Sequence, residues 1–551
     1  MRTFDFLAHA ARAKEIFTIV ARYGFANLLQ QAEAPTSLWR RMLPEPASHH
    51  TTEERIRMAA EELGPAFVKF GQLLSTRPEL LPQPLIMELR KLQNSVRPLA
   101  FPEMKRVLED SLGHPLEEVF ADFDTTAAAA ASLAQVYRAR LRTTGEDVAV
   151  KIQKPDIRRK IEIDLDLAGW VAGQLHQRSD DLRPFDLPAI VEEVRKAVIL
   201  ELDFRHEASN QEYFNRVNPL PDRVFAPKVH RPLCSERVLV TAWVEGASVD
   251  TVGLAPQERR RIAVNGANSI VHQILIDGFF HADPHAGNVI ITADGRIAFV
   301  DWGMAGHLSR RLRYALGDFL IAAMEQDAER LVRIAIELAP SDTQIERRTL
   351  EQQVMIALRE DLGMEANQQH LGRAMLRLLF ILGKNGIPLS RDFSLMAKAV
   401  LSIEEIGWTL DPKFDLRAIA GPILRAQQRE RWSGRSLLRM AQEIARSGMN
   451  GMREIPSEIA RLMRRLEHDN LTVNFQHRGL EHFEQTVATA ANRITLGVII
   501  GSLIVGSSLI VTTGAGPRLL GYPALGIVGY LLSAILGFYI VFDIIRHGRH
   551  K

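Results

Sequence analysis

Three residues constrain this chain more tightly than anything else in it. Asp283 is followed five positions later by Asn288, and Asn288 thirteen positions later by Asp301. They stand in His281-Ala-Asp283-Pro-His-Ala-Gly-Asn288 and in Ile297-Ala-Phe-Val-Asp301-Trp-Gly303. The residues between Asn288 and Asp301 are strand-like, which suits a short hairpin. A loop carboxylate, an amide and a second carboxylate, set out in this way, match the needs of metal-assisted phosphoryl transfer. One carboxylate lies near the nucleophile, and the amide and the other carboxylate hold Mg2+ on the phosphates. His281, Asp283 and His285 could instead ligate zinc or iron, but that would leave the spacings to Asn288 and Asp301 unexplained.

Two upstream segments fit the same chemistry. Val148-Ala-Val-Lys151 follows a turn at Gly145 and alternates like a strand, and a lysine ending such a strand can reach the α- and β-phosphates of ATP. Glu201-Leu-Asp203-Phe-Arg-His-Glu207-Ala-Ser-Asn210 reads as one helix through Glu207. A glutamate there can orient the strand lysine, although such acids taken alone more often form a solvated helix face. The order of lysine strand, glutamate helix, H-x-D-x4-N loop and D-x-G is that of protein kinases. No G-x-G-x-x-G precedes Val148. The phosphate-covering turn falls to Ala128, Ala129, Ala130, Ala131 and Ser132, where alanine lacks the positive-φ freedom of glycine, so a nucleotide should be held differently. No Ala-Pro-Glu follows Asp301, so the usual peptide-docking element is not visible.

The C-terminus sets a second constraint. Residues 494–513 carry no charge, and residues 519–545 carry only Asp543. About 20 apolar residues span a bilayer, so two spans joined by a tight turn at 514–518 are expected. Arg493, Arg546, Arg549 and Lys551 flank them, which places both ends on the cytoplasmic side. The competing reading is a helical hairpin buried in a soluble core. Gly497 and Gly501 form a small-xxx-small pair suited to close helix approach. The arginine-rich stretch 425–465 reads either as a basic amphipathic segment on an anionic membrane surface or as a solvated helix face. The first nine residues include Asp5 and no long apolar core, so no signal peptide is expected.

Length and charge exclude other classes. A chain of 551 residues should hold two or three units, and a net charge of +2 gives no global sign of nucleic acid. The single cysteine, Cys234, excludes an intrachain disulfide and a cysteine-rich zinc site. Its position before an apolar run suggests packing rather than reactivity.

One more motif, Lys69-Phe-Gly71-Gln72, reads on physical grounds only as a polar helix with a glycine. Taken with the alanine-rich loop, Glu201-Leu-Asp203 and the downstream loops, it resembles the UbiB/ABC1/AarF family of atypical kinases. The resemblance runs from about residue 54 to 306, and the C-terminal hairpin is like that of the bacterial UbiB branch, which is linked to ubiquinone biosynthesis.

It implies an α+β, protein-kinase-like two-lobe fold with an N-terminal helical extension and a two-helix transmembrane hairpin. The expected organisation is an N-terminal helical segment (1–52), the extension carrying Lys69 (53–125), an N-lobe (126–246), a C-lobe (247–424), a basic helical linker (425–489), and the hairpin with a basic tail (490–551). It further implies that Lys151 pairs with Glu207 and contacts phosphates. Glu201 and Asp203 would face Lys69 and Gln72 in a helix over the active site, Asn288 and Asp301 would hold Mg2+, and Asp283 would act as base or water-positioning group.

The expected cofactors are ATP and Mg2+, and the expected location is the inner (cytoplasmic) membrane with the kinase-like domain inside. Expected partners are membrane lipid, quinone precursors and other quinone-biosynthesis proteins, with no nucleic acid and a homodimer left open. ATP hydrolysis or phosphorylation of a small or lipid-like molecule is the implied activity. A small-molecule kinase of the aminoglycoside or choline type and a nucleotide-binding pseudokinase scaffold are the alternatives. A quinone-ring hydroxylase has no dinucleotide fingerprint to support it. Glu79 and Asn94 stand where the family has aspartate, and Tyr137 where it has histidine.

Overall fold

The computed structural model describes residues 10–31, 50–75, 77, 81–92, 98–179, 186–339, 345–363, 370–387, 391–431, 481–513, 517–519 and 522–547. Glu79, Asn94, the 514–516 part of the expected turn and most of the arginine-rich stretch lie outside them. The chain divides into two units, Met1–Arg439 and Met440–Lys551.

The first unit opens with helices. Helix α1 (Ala10–Val20) runs through a π-helical turn, Ala21–Phe25, into α2 (Ala26–Gln31). Next come α3 (Thr52–Leu63), α4 (Pro65–Leu74) and α5 (Gln83–Leu89). Thr51 and Glu54 form a capping box at the start of α3, each side chain accepting the other's backbone N–H. Gly64, at φ 100°, ends α3, and Pro65 starts α4 at once.

A sheet follows α6 (Phe101–Leu112) and the short α7 (Leu116–Val119). It comprises β1 (Phe120–Phe123), β2 (Ala129–Ala130), β3 (Ala134–Leu141), β4 (Asp147–Gln153) and β6 (Val238–Ala242). Its order is β1-β3-β4-β6, with β2 paired to β3. Alternation along β4 buries Val148, Val150 and Ile152 against Met104, Leu108 and Phe120. The helices α8 (Ile157–Arg178), α9 (Leu187–Glu201) and α10 (Phe204–Val217), then β5 (Val224–Phe225), lie between β4 and β6 in sequence.

The larger core belongs to the part beyond β6. Strands β7 (Ala247–Ser248), β9 (Val289–Ile291) and β10 (Ile297–Phe299) join β5 in a second sheet, and β8 (Phe279–His281) pairs with β11 (Ala305–His307). Around them pack α11 (Pro256–His272), α12 (Arg310–Met324), α13 (Ala328–Leu338), α14 (Arg347–Leu362), α15 (Leu371–Lys384), α16 (Arg391–Leu410) and α17 (Leu416–Arg431). Their apolar faces merge into one cluster with Phe279, Phe280, Phe299 and Trp302.

One sequence expectation changes here. The segment 201–207 is not one helix. Helix α9 ends at Glu201, and Asp203 starts α10 by accepting the Arg205 N–H at 3.0 Å, a cap that competes with continuation of the preceding helix. Cys234 does pack: burial raises its thiol pKa, and Sγ lies 3.4 Å from the His230 carbonyl.

The second unit holds α18 (Glu481–Thr513), the strand pair β12 (Arg518–Leu519) and β13 (Tyr522–Pro523), and α19 (Ala524–His547). Ile494–Thr513 is the one helical stretch among the described residues long and apolar enough to cross a membrane. Ala524–Tyr539 is a further apolar stretch, within the 24-residue helix that begins after Pro523. The two helices pack together, but not through Gly497 and Gly501, beside which a Cβ would meet nothing within 4 Å. The close approach is on α19. A Cβ at Gly529 would strike Ser507, one at Gly526 would strike Val511, and Tyr530 hydrogen-bonds Ser508. Ile494, Val498 and Phe538 are left 68%, 64% and 79% exposed, an apolar surface that suits lipid better than water.

Gly278 sets the entry to the 281–288 loop. It sits at φ 70°, its carbonyl accepts the Leu308 N–H at 2.7 Å, and an added Cβ would lie 2.6 Å from the Leu308 carbonyl oxygen. Gly278→Ala should therefore cost about 1–3 kcal/mol. Thermal unfolding of the detergent-solubilised chain, followed by tryptophan fluorescence, should show a midpoint several degrees lower; an unchanged midpoint would contradict the strained geometry.

Candidate active site

Lys151 lies on β4 opposite its buried face. Its Nζ donates to both Glu207 oxygens, at 2.9 and 2.8 Å, and lies 3.4 Å from Asp301 Oδ2. Glu207 comes from the first turn of α10 and is almost wholly buried. That helix also grips the backbone of Trp302 at both ends. Glu207 accepts the Trp302 N–H, and Asn210 Nδ2 donates to the Trp302 carbonyl at 3.0 Å. The Trp302 indole is fully buried, 4.5 Å from the Phe214 ring and 4.7 Å from His281, and its N–H donates to the Phe299 carbonyl at 3.0 Å. Asp301 is thus held from both sides, and its Oδ1 accepts the Gly303 N–H at 2.9 Å.

The charges in this cluster do not titrate alike. Burial pushes Glu207 up to about 7, with Lys151 opposing and Asp301 adding to the rise. Desolvation also acts upward on Asp301, but Lys151, the Gly303 N–H and Lys69 together hold it far below the usual carboxylate range. Its side chain is 44% exposed against 4% for Glu207, so it retains more hydration. Lys151 is lowered by burial, yet Asp301 and Glu207 outweigh this and raise it. Asp301 is therefore the firmly anionic member, and Glu207 stands nearer neutrality.

The loop before β9 carries the other carboxylate. His281 is fully buried, and its Nδ1 accepts the Asp283 N–H at 3.1 Å. Burial pushes this imidazole down to about 4, against the pull of Asp283 and Asp301. Asn288 Nδ2 donates to the Asp283 carbonyl at 3.2 Å, and the Asn288 carbonyl accepts the Val300 N–H at 3.0 Å, tying the loop to the strand before Asp301. Asp283 itself pairs with Lys398 on α16, Nζ to Oδ1 at 2.9 Å. Burial would raise Asp283, but Lys398 and His285 lower it.

Sequence reasoning missed Lys398. Its signal was a lysine embedded between the buried residues Met396, Ala397, Ala399 and Val400, but nothing local connects α16 with the loop. Asn210 was quoted in its motif without a role.

The remaining expected residues divide. Lys69 on α4 forms an ion pair with Glu201 at the end of α9. Burial acts to lower Lys69, yet Glu201 and Asp301 leave it raised. Asp203 pairs with Arg205 at 2.7 Å, and Gln72 Nε2 donates to the Leu92 carbonyl at 3.0 Å. Ala129 and Ala130 pair with β3, and the Ala131 N–H closes a turn onto the Ala134 carbonyl at 2.8 Å, with Ser132 buried inside it. The alanine-rich segment is thus a hairpin edge antiparallel to the strand that pairs with β4. His281, Asp283 and His285 do not converge as ligands: His281 Nδ1 serves the Asp283 backbone and His285 Nδ1 accepts the Gly287 N–H. Among the described residues no group of three or more His, Cys, Asp and Glu is placed to hold a metal ion. Asp301 and Asn288 offer oxygen donors instead, one from a firmly anionic carboxylate, and such donors suit the hard Mg2+ ion when substrate phosphates and water complete its shell.

This is a kinase-like fold with a lysine-bearing helix, α4, paired to the end of α9. Residues 91–335 match the ABC1 atypical kinase-like domain, and residues 478–546 the ABC1/UbiB kinase-like C-terminal domain. A probable protein kinase UbiB of Xanthomonas euvesicatoria is 32% identical over 456 residues, covering 78% of this chain and 80% of its own. An uncharacterized protein in the hydrogenase 1 5' region of Clostridium pasteurianum is 29% identical over 545 residues, 98% of this chain and 99% of its own. The solved complex of Rv3197 with erythromycin from Mycobacterium tuberculosis is 23% identical, covers 64% of this chain and 94% of its own, and superposes with a TM-score of 0.40. The chain belongs to the ABC1/UbiB atypical kinase-like family.

His281 carries a pH dependence. Its value falls from an ordinary 6.5 to about 4 in the fold, so the unfolded chain takes up the proton first. The stability linked to it is complete above about pH 6.5 and is lost as the pH falls towards 4, by ~3 kcal/mol in all. His281→Asn keeps an acceptor without the titration. Thermal midpoints should fall less steeply from pH 7 to 5 in the variant than in the wild type; parallel slopes would refute the assignment.

Proposed function

We propose that the chain binds Mg-ATP and either hydrolyses it or passes the phosphoryl group to a small or lipid-like acceptor, in support of ubiquinone biosynthesis at the cytoplasmic membrane. The observation that carries this reading is the Lys151 ammonium shared by Glu207 and Asp301. Binding of the α- and β-phosphates by Lys151, with Glu207 fixing its direction, is the role such a pair serves. Ala128, Ala129, Ala130, Ala131 and Ser132 would lie over the phosphates, their backbone fixed by pairing with β3. Asn288 and Asp301 would hold Mg2+, which when bound offsets the negative charge developing on the phosphates.

Asp283 would orient the attacking hydroxyl or water. Lys398 lowers its basicity, which favours orientation over storage of a proton. Lys69 and Glu201 close the site from α4 with a buried ion pair, so an extended peptide is a poor fit and a small acceptor a better one. Asp203, through its cap on α10, and Gln72, through its bond at the end of α4, would keep that cover in place. The quinone link rests on family resemblance. In this reading both α18 and α19 cross the membrane, with the kinase-like unit on the cytoplasmic side.

Phosphate release by the full chain in liposomes tests the proposal. Asp301→Asn should lower turnover by ~10³-fold or more and weaken Mg-dependent ATP binding, and it should fail to restore quinone content in a strain lacking the gene. Binding without turnover, in wild type and variant alike, would turn the reading towards a scaffold; absence of nucleotide binding would end it. Lys398→Met should lower kcat by ~10²-fold, move the acidic limb of the kcat profile to higher pH, and leave ATP affinity little changed. An unshifted limb would remove Lys398 from the mechanism.

A further inference from the structure

A second cavity lies apart from the charged cluster. It measures about 460 Å³ and is walled by α1, α2, α4, α8 and α9. Every residue lining it is apolar, among them Phe17, Phe67, Phe70, Leu74, Ala168 and Ala172. A volume in this range is that of a small-molecule site rather than a packing defect. Phe17, Leu29 and Leu167 hold its walls in the surrounding apolar packing, and walls without polar groups offer water no partners. At roughly 30 Å³ per water-sized group, the space takes about 15 such groups, the size of a prenyl or medium acyl chain.

Two features make this a built site. Its cover is fastened yet adjustable. Arg12 ties α1 to Asp164 of α8, at 2.7 and 2.8 Å, while the π-helical turn at 21–25 contains Gly24 at φ 87°, a joint between α1 and α2. At the rim Leu28 is left 40% exposed, an apolar contact for a chain that extends beyond the cavity. The second feature is α4, which serves both sites. Lys69 reaches Glu201 from one face, while Phe67, Phe70 and Leu74 line the cavity from another.

We propose that this cavity binds an uncharged prenyl or alkyl chain of about fifteen carbons, and that the occupant bears on the helix carrying Lys69. It stands apart from the phosphoryl acceptor, because α4 comes between the cavity and the charged cluster. The binding itself needs no nucleotide. Only the consequence for Lys69 rests on the ATP reading.

The test uses the full chain in phosphatidylcholine nanodiscs and a diazirine-tagged farnesol as photoprobe. Mass spectrometry should place crosslinks on peptides holding Phe17, Phe70 or Ala172, and untagged farnesol should compete them away. Ala172→Trp fills the space. Leu28→Asp, at an exposed position that leaves packing intact, sets a charge at the mouth. Each should lower labelling of these peptides by ~10-fold, while labelling of α18 stays constant as the control for lipid partition. Crosslinks confined to α18 and α19, or cavity labelling unchanged in Leu28→Asp, would overturn the proposal. Should Ala172→Trp fail to fold, Leu28→Asp decides alone. Because labelling is read without ATP, failure here leaves the nucleotide reading standing, and failure of nucleotide binding leaves this one standing.

Discussion

One ammonium between two carboxylates organises the kinase-like unit. Lys151 draws Glu207 and Asp301 together from a helix and a loop widely separated in sequence. Removing one partner from such a pair strands a charge in a place that cannot hydrate it, a loss of about 3–5 kcal/mol. The surrounding structure restrains all three. Strand alternation sets Lys151, α10 sets Glu207, and the same helix clamps Trp302 and with it Asp301. A shift of α10 therefore reaches Lys151 and Asp301 together. The arrangement is also electrically uneven, since desolvation moves Glu207 towards neutrality while Asp301 keeps its charge. An unevenness of this sign leaves the most exposed carboxylate of the cluster as the one best prepared to meet a cation.

How far this was legible in the sequence depends on range. Asp283, Asn288 and Asp301 were legible because a loop and a short hairpin fix their spacing within a few residues, and the Val148–Lys151 alternation was legible because strand period is local. The break between Glu201 and Glu207 was hidden, since Asp203 can sit within a helix or cap the next one, and only the fold decides. Lys398 was hidden altogether, as its meaning depends on α16 packing beside a loop that no sequence pattern connects to it. Gly526 and Gly529 were passed over in favour of Gly497 and Gly501, because the latter pair has the four-residue spacing of a small-xxx-small motif and the former does not. The face of a glycine is set by the helix opposite, and here Ser507 and Val511 decide it.

The helix α4 draws the remaining features into one scheme. Its sequence, Pro-Ala-Phe-Val-Lys-Phe-Gly-Gln-Leu-Leu, offers a polar side for the ion pair with Glu201 and an apolar side for the cavity. A helix with two such faces cannot rotate to improve one contact without losing the other. Lys69 is buried, and its charge is compensated only while Glu201 and Asp301 stay near. The apolar side packs with residues of α1 and α8 and lines the cavity beside them. The position of α4 is then a balance between an ionic contact and an apolar one, and those respond to different things: the first to charged groups entering the cluster, the second to molecules that partition out of water. The long apolar helix exposed by the C-terminal unit suits a lipid surface, into which molecules of the second kind partition. On the two proposed readings, a lipid-phase molecule would be registered at the same helix that covers the phosphate site, without the two ligands ever touching.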